Sequence, residues 1–99
     1  MSRFPLPTVL SMLEEGKISI FDFMTLMLGL LHEHPPEELY AKTPTKLQPY
    51  FRSRVEDYVR YAREAVLKGE PVYNCMTDDP LPDESVSQLF EWFNSKSPA

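Results

Sequence analysis

Between Ser19 and Pro35 the chain packs nine large apolar side chains, Ile20, Phe21, Phe23, Met24, Leu26, Met27, Leu28, Leu30 and Leu31, into one stretch. No other feature constrains the fold as strongly. Read at 3.6 residues per turn, the stretch is apolar almost all round, and such a helix must be covered on most of its sides. Its start is well marked. Ser19 is a good N-cap, Asp22 follows at capping-box spacing, and Ile18 and Phe23 have the spacing of a hydrophobic staple. The stretch predicts a central helix over about residues 20–32. Asp22, Thr25 and Gly29 interrupt the apolar run, which is shorter than the ~20 residues a membrane span needs.

Prolines divide the rest of the chain into helix-sized pieces. A first helix is expected over Thr8 to Glu15, capped by Thr8, with Val9, Leu10, Met12 and Leu13 on its apolar side. Gly16 suits the left-handed residue that ends it, and Ile18 can fold back on the last turn. Pro35-Pro36 stops the second helix and opens a short third one, with Glu37 and Glu38 in its first turn and Leu39 and Tyr40 as anchors. Thr43-Pro44 ends that piece. The fourth helix, Pro49 to Lys68, is the longest and carries Phe51, Val55, Tyr58, Val59, Ala62 and Val66 at helical spacing. An extra turn over residues 44–47 can precede it, and Gly69 and Pro71 close it. Residues 70–82 read as a loop that Val72 and Tyr73 pin to the core. Asp83 then caps a last helix to Asn94, with Val86, Leu89, Phe90 and Phe93 on one side and Trp92 at the margin.

No segment alternates with a period of two, so no sheet is expected. The predicted fold is all-α: a compact bundle of four or five short helices around the 20–32 helix, forming one domain over residues 1–94 with residues 95–99 frayed. The expected core is Ile20, Phe23, Met24, Met27, Leu30, Leu31, Val55, Tyr58, Val59, Ala62, Leu89, Phe90 and Phe93.

Ninety-nine residues suffice for one domain, and an apolar fraction of 42% with 25% charged residues is that of a globular chain. The single cysteine, Cys75, has no partner for an intrachain disulfide, and the first residues lack a signal-peptide core. A cytoplasmic or nuclear location is the resulting expectation. The net charge of −5 disfavours general attraction to nucleic acid or anionic lipid. That average hides a division. Residues 45–69 carry six basic and three acidic side chains, whereas residues 70–99 carry one lysine and six acids. The simplest reading lays the acidic tail near the basic helix; the other is a surface for association.

The constellations that could carry chemistry are few. His32-Glu33-His34 offers metal-competent groups, but side chains two apart on a helix diverge, and a helix C-terminus explains histidines there. Cys75 stands beside acids, which raise a thiol pKa and so oppose a nucleophilic role. The pairs Glu14-Glu15, Glu37-Glu38, Asp78-Asp79 and Asp83-Glu84 read as solvated surface. There is no glycine-rich phosphate loop, nucleophile elbow or His-Glu-x-x-His motif. No catalytic residue, cofactor or metal is therefore expected.

What remains is a non-enzymatic protein-interaction domain, an adaptor or a homodimer. Apolar side chains in excess of what a small bundle covers mark partner surfaces. The candidate partner-binding residues are Met24, Met27 and Leu28 on the apolar helix, Arg60 and Arg63 on the basic helix, and Trp92 near the end. The alternative is a nucleic-acid-binding module using the basic residues of helix 49–68, with Tyr50, Tyr58 and Tyr61 between them. Against it, Arg52, Glu56, Arg60, Glu64 and Lys68 alternate in sign every fourth residue, which is the pattern of a self-neutralising solvent face. No membrane partner is expected.

Overall fold

The helix boundaries follow from residues that start or stop the hydrogen-bond ladder. In the computed structural model, which describes residues 4–74, 76 and 79–95, the elements run α1 (Leu6–Glu14), α2 (Ile20–Leu28), α3 (Pro36–Lys42), a 3-10 turn (Thr45–Leu47), α4 (Gln48–Leu67) and α5 (Asp83–Ser95). Ser19 caps α2 as its sequence predicts, accepting the Asp22 N–H at 3.1 Å. Gly16 and Gly69 both take φ of 72°. Each closes a Schellman motif: Lys17 N–H reaches Met12 O at 2.9 Å, and Glu70 N–H reaches Ala65 O at 2.8 Å.

Three boundaries differ from expectation. The first helix starts at Leu6 after Pro5, and Thr8 does not cap it. Pro7 sits in the first turn, where its missing N–H leaves no bond unmade, so the helix extends two residues further back. Asp83 likewise lies inside the first turn of α5, where a carboxylate still favours the helix dipole. The second helix stops at Leu28 rather than at residue 32. Beyond it the chain tightens into successive turns, with Leu30 N–H on Met27 O, Leu31 N–H on Leu28 O and Glu33 N–H on Leu30 O. That tightening turns both Leu30 and Leu31 into the core.

Helices pack on helices throughout. The second helix lies between α1 and α4, and α4 also meets α3 and α5. The core centres on Phe23, Met24, Met27 and Leu28 of α2, Val9 of α1, Leu39 of α3, Phe51, Val55, Val59 and Ala62 of α4, and Leu89 of α5. Burying each large apolar side chain of this set contributes roughly 1.5–3 kcal/mol. Of the expected core, Ile20 is the exception at 47% exposure, and its neighbour Phe21 is 64% exposed. Both belong to the first turn of α2, and Phe21 meets α4 only through the Arg54 guanidinium over its ring. Phe90 and Phe93 are half-buried, because the inward stripe of α5 is Ser85, Leu89 and Trp92. In the last full turn of α4, Ala65 takes the buried position and Val66 is left 53% exposed.

Among the described residues there is no strand, only an isolated antiparallel bridge between Tyr73 and Pro80. No helix among them is long and apolar enough to cross a membrane. The predicted fraying of residues 95–99 falls mostly on 96–99, outside the described residues.

Candidate functional site

The described residues between Val72 and Leu81 (72–74, 76 and 79–81) form a strap against α2 and α4. Leu81 N–H donates to Val72 O at 2.7 Å and Asn74 N–H to Asp79 O at 2.9 Å. Val72 and Leu81 are buried at its two ends. Val72 pins the loop by its side chain, as expected, but Tyr73 pins it through its backbone. The Tyr58 hydroxyl donates to the Tyr73 carbonyl, and the Tyr61 hydroxyl accepts the Tyr73 N–H at 3.1 Å. The Tyr73 ring itself stays exposed.

Asn74 ties the same strap to the end of α2. Its Nδ2 donates to Gly29 O at 3.0 Å and lies 3.1 Å from His32 Nδ1, while its Oδ1 accepts Met76 N–H at 2.8 Å. The flanking backbone groups fix which way the amide points: the Gly29 carbonyl demands a donor and the Met76 N–H an acceptor. His32 Nδ1 is then the acceptor of that pair. Gly29 is needed for closeness rather than for its backbone angle. A Cβ there would stand 2.4 Å from Met76 Cγ.

This strap and the two helices enclose a groove of about 350 Å³, lined by Leu28, Arg54, Asp57, Tyr58, Tyr61, Tyr73 and Asn74. Its walls are mostly apolar. Tyr58 and Tyr61 stand ring to ring at 5.7 Å and 40°. The Arg54 guanidinium lies 4.9 Å over the exposed Phe21 ring and donates a long hydrogen bond, 3.4 Å, to Thr25 Oγ1. Arg54 Nε is buried without an acceptor among the described residues. Asp57, on the rim, stands 3.9 Å from Arg60.

The structure separates the residues that sequence reasoning grouped as partner-binding. Met24, Met27, Leu28 and Trp92 are buried within the chain, so their bulk is core, and only Leu28 also reaches the groove. Trp92 packs against Tyr40 and Phe51, with ring centroids 5.4 and 6.1 Å away, and its Nε1 has no acceptor among the described residues. Arg60 is on the surface, 3.5 Å from Glu56, and Arg63 donates to Asn94 Oδ1 at 3.3 Å. The basic side chains of α4 therefore do not form one stripe. Arg52 lies over the Phe93 and Trp92 rings at 4.9 and 5.7 Å and donates to Phe93 O. Arg52 and Arg63 thus face α5, Arg54 faces α2, and Arg60 pairs within α4.

The two histidines also go to different partners, His32 to Asn74 and His34 to Glu38 Oε1 at 2.9 Å. No group of three metal-competent side chains occurs among the described residues. Cys75 and Asp78 lie outside the described residues.

Sequence reasoning named Leu28 as a partner-binding candidate and Tyr58 and Tyr61 within the basic helix, but did not bring them together with Asp57, Tyr73 and Asn74 around one groove. The α4 members, Arg54, Asp57 or Tyr58, and Tyr61, recur at three- or four-residue spacing, the signal that could have found them. Compared with known protein families, with curated proteins and with solved structures, the chain matches none.

Proposed function

We propose that this chain is a non-enzymatic protein-interaction domain that docks a short segment of a partner protein in the groove between α2, α4 and the 72–81 strap. One observation carries the reading: a largely apolar groove stands open beside the exposed Phe21, Tyr61 and Tyr73 rings in a domain whose other helix faces supply its core. Tyrosine and arginine are enriched among the residues that dominate the binding energy of protein interfaces, tyrosine for its large contact area at little ordering cost and arginine for its planar fork of donors. The groove presents both. The volume is at the small end for a binding pocket, which fits a few side chains of a segment rather than a whole folded surface.

The alternative, nucleic-acid binding through α4, has weaker support. A phosphate backbone is held by several cations presented together. Here Arg52 and Arg63 are engaged with α5, and Arg60 stands beside Glu56 and Asp57.

The test is selection of random displayed peptides on the full chain, followed by amide chemical-shift mapping of the enriched binders. Binding should shift Leu28, Arg54, Asp57, Tyr61 and Tyr73 together. Tyr61→Asp should weaken it at least about tenfold while cooperative melting persists. Binders that map to another face, or that keep their affinity for Tyr61→Asp, would remove the groove from consideration.

A further inference from the structure

One contact of the strap depends on the protonation state of a histidine. Asn74 Nδ2 has two hydrogens, and it gives one to Gly29 O at 3.0 Å and the other to His32 Nδ1 at 3.1 Å. Its Oδ1 takes the Met76 N–H at 2.8 Å. Asn74 is buried, and its amide has no hydrogen left over. Turning the amide over would set its oxygen against the Gly29 carbonyl and its N–H groups against the Met76 N–H. The arrangement therefore requires His32 Nδ1 to be bare of a proton.

A protonated imidazole carries a donor on both nitrogens. Nδ1–H would then point at an Asn74 N–H, and an accepting atom would become a second donor. Histidine is the side chain whose charge ordinarily changes between about pH 5 and 8. The His32 side chain is 30% exposed, so solvent protons reach it. We propose that His32 is a pH-sensitive latch. Neutral, it accepts from Asn74 and holds the strap against the end of α2; protonated, it lets Asn74 go. The latch itself needs no ligand. That it regulates access to a partner segment, by moving the Tyr73 and Asn74 wall of the groove, rests on the docking reading above.

The groups around His32 set the direction. Glu33 Oε1 lies 3.6 Å from Nε2, but it is the next residue and stays with His32 whether the strap is held or released. Glu38 of α3 is taken by His34 at 2.9 Å. Arg54 and Asp57 of α4 line the groove with Asn74 and carry opposite charges. On the strap, Asp79 accepts the Asn74 backbone N–H through its carbonyl. Of these contacts, the His32–Asn74 bond is the one that needs both the strap in place and Nδ1 unprotonated. A proton on Nδ1 thus binds the released state better, and acid shifts the balance towards release.

The test is amide exchange on the full chain at about pH 8 and about pH 5, read as protection factors so that the intrinsic pH dependence of exchange cancels. Protection at Asn74, Met76 and Leu81 should fall roughly tenfold in acid, the equivalent of one lost hydrogen bond, while Val55 and Val59 in α4 keep theirs. His32→Asn keeps an acceptor oxygen near the place of Nδ1 and cannot take up the proton. It should leave the strap protected at both pH values. His34→Asn should leave the wild-type difference in place. Nitrogen shifts of the wild-type imidazole need no variant, and Nδ1 should be the bare nitrogen at about pH 8.

Protection that is unchanged or rises in acid, a difference that survives His32→Asn, or an Nδ1 that carries the proton at about pH 8 would each overturn the latch. Peptides selected on the groove should lose affinity in acid on the wild-type chain and keep it on His32→Asn. Binders indifferent to pH would overturn the regulation and leave the latch. An empty peptide selection would overturn docking alone, because the exchange and nitrogen readouts involve no ligand.

Discussion

Asn74 meets three polar groups with one side-chain amide, and two of them belong to residues more than forty positions away. Replacing it with alanine would leave the Gly29 carbonyl and the Met76 N–H without their side-chain partner. A buried group deprived of its partner costs about 1–3 kcal/mol. Asn74→Ala should therefore lower the unfolding free energy by roughly 2 kcal/mol. Hydrogen exchange should accelerate first at the Asn74 and Leu81 amides that hold the strap together. Unchanged exchange there would mean that Tyr58 and Tyr61 hold the strap unaided. None of this was legible in the sequence, where Asn74 reads as one more polar residue of a loop. Side chains that satisfy distant backbone groups leave no periodic trace. Val72 and Tyr73, by contrast, were legible as pins, because apolar residues in a loop of prolines and acids have few other uses; Val72 is buried, while Tyr73 holds through its backbone.

At the scale of elements, starts were easier to read than ends. The Ser19 cap, the Gly16 and Gly69 closures and the proline before α3 are local chemistry, set by residues within one turn of the boundary. The end of α2 is not local. It coincides with the close approach of Met76 to Gly29, a contact between segments nearly fifty residues apart. The apolar run was correctly read as the buried helix of the bundle, yet burial is one-sided in its first turn. Phe21 and Phe23 test this division within two residues of each other. Phe23→Ala empties a fully buried site and should cost about 3–5 kcal/mol. Phe21→Ala removes only an exposed ring and its contact with Arg54, which is worth about 1 kcal/mol or less. Urea denaturation of the two variants measures both. Comparable losses would mean that something else covers Phe21. The same one-sidedness explains why the candidate site was only partly legible. Periodicity shows which positions share a helix face; it does not tell a face used for core from one left open beside a strap.

For the whole molecule, the charge division between residues 45–69 and 70–99 suggested attraction between α4 and the acidic tail. The two helices do pack together, but the described contacts between them are not ion pairs. Arg52 rests on the rings of Trp92 and Phe93 and bonds a backbone carbonyl, and Arg63 bonds an amide oxygen. The aromatic cluster of Tyr40, Phe51 and Trp92 joins α3, α4 and α5 beneath them. The bundle is thus held by apolar and aromatic packing, with exposed pairs such as Arg60–Glu56 worth at most about 1 kcal/mol.

That leaves the claim on which the groove depends: one chain covers α2 by itself apart from the exposed Ile20 and Phe21 of its first turn. Urea unfolding of the wild-type chain across a wide range of protein concentration tests it most directly. A self-sufficient bundle gives one cooperative transition whose midpoint does not move with concentration. A midpoint that climbs as the protein is concentrated would show that α2 is covered only when a second molecule is present.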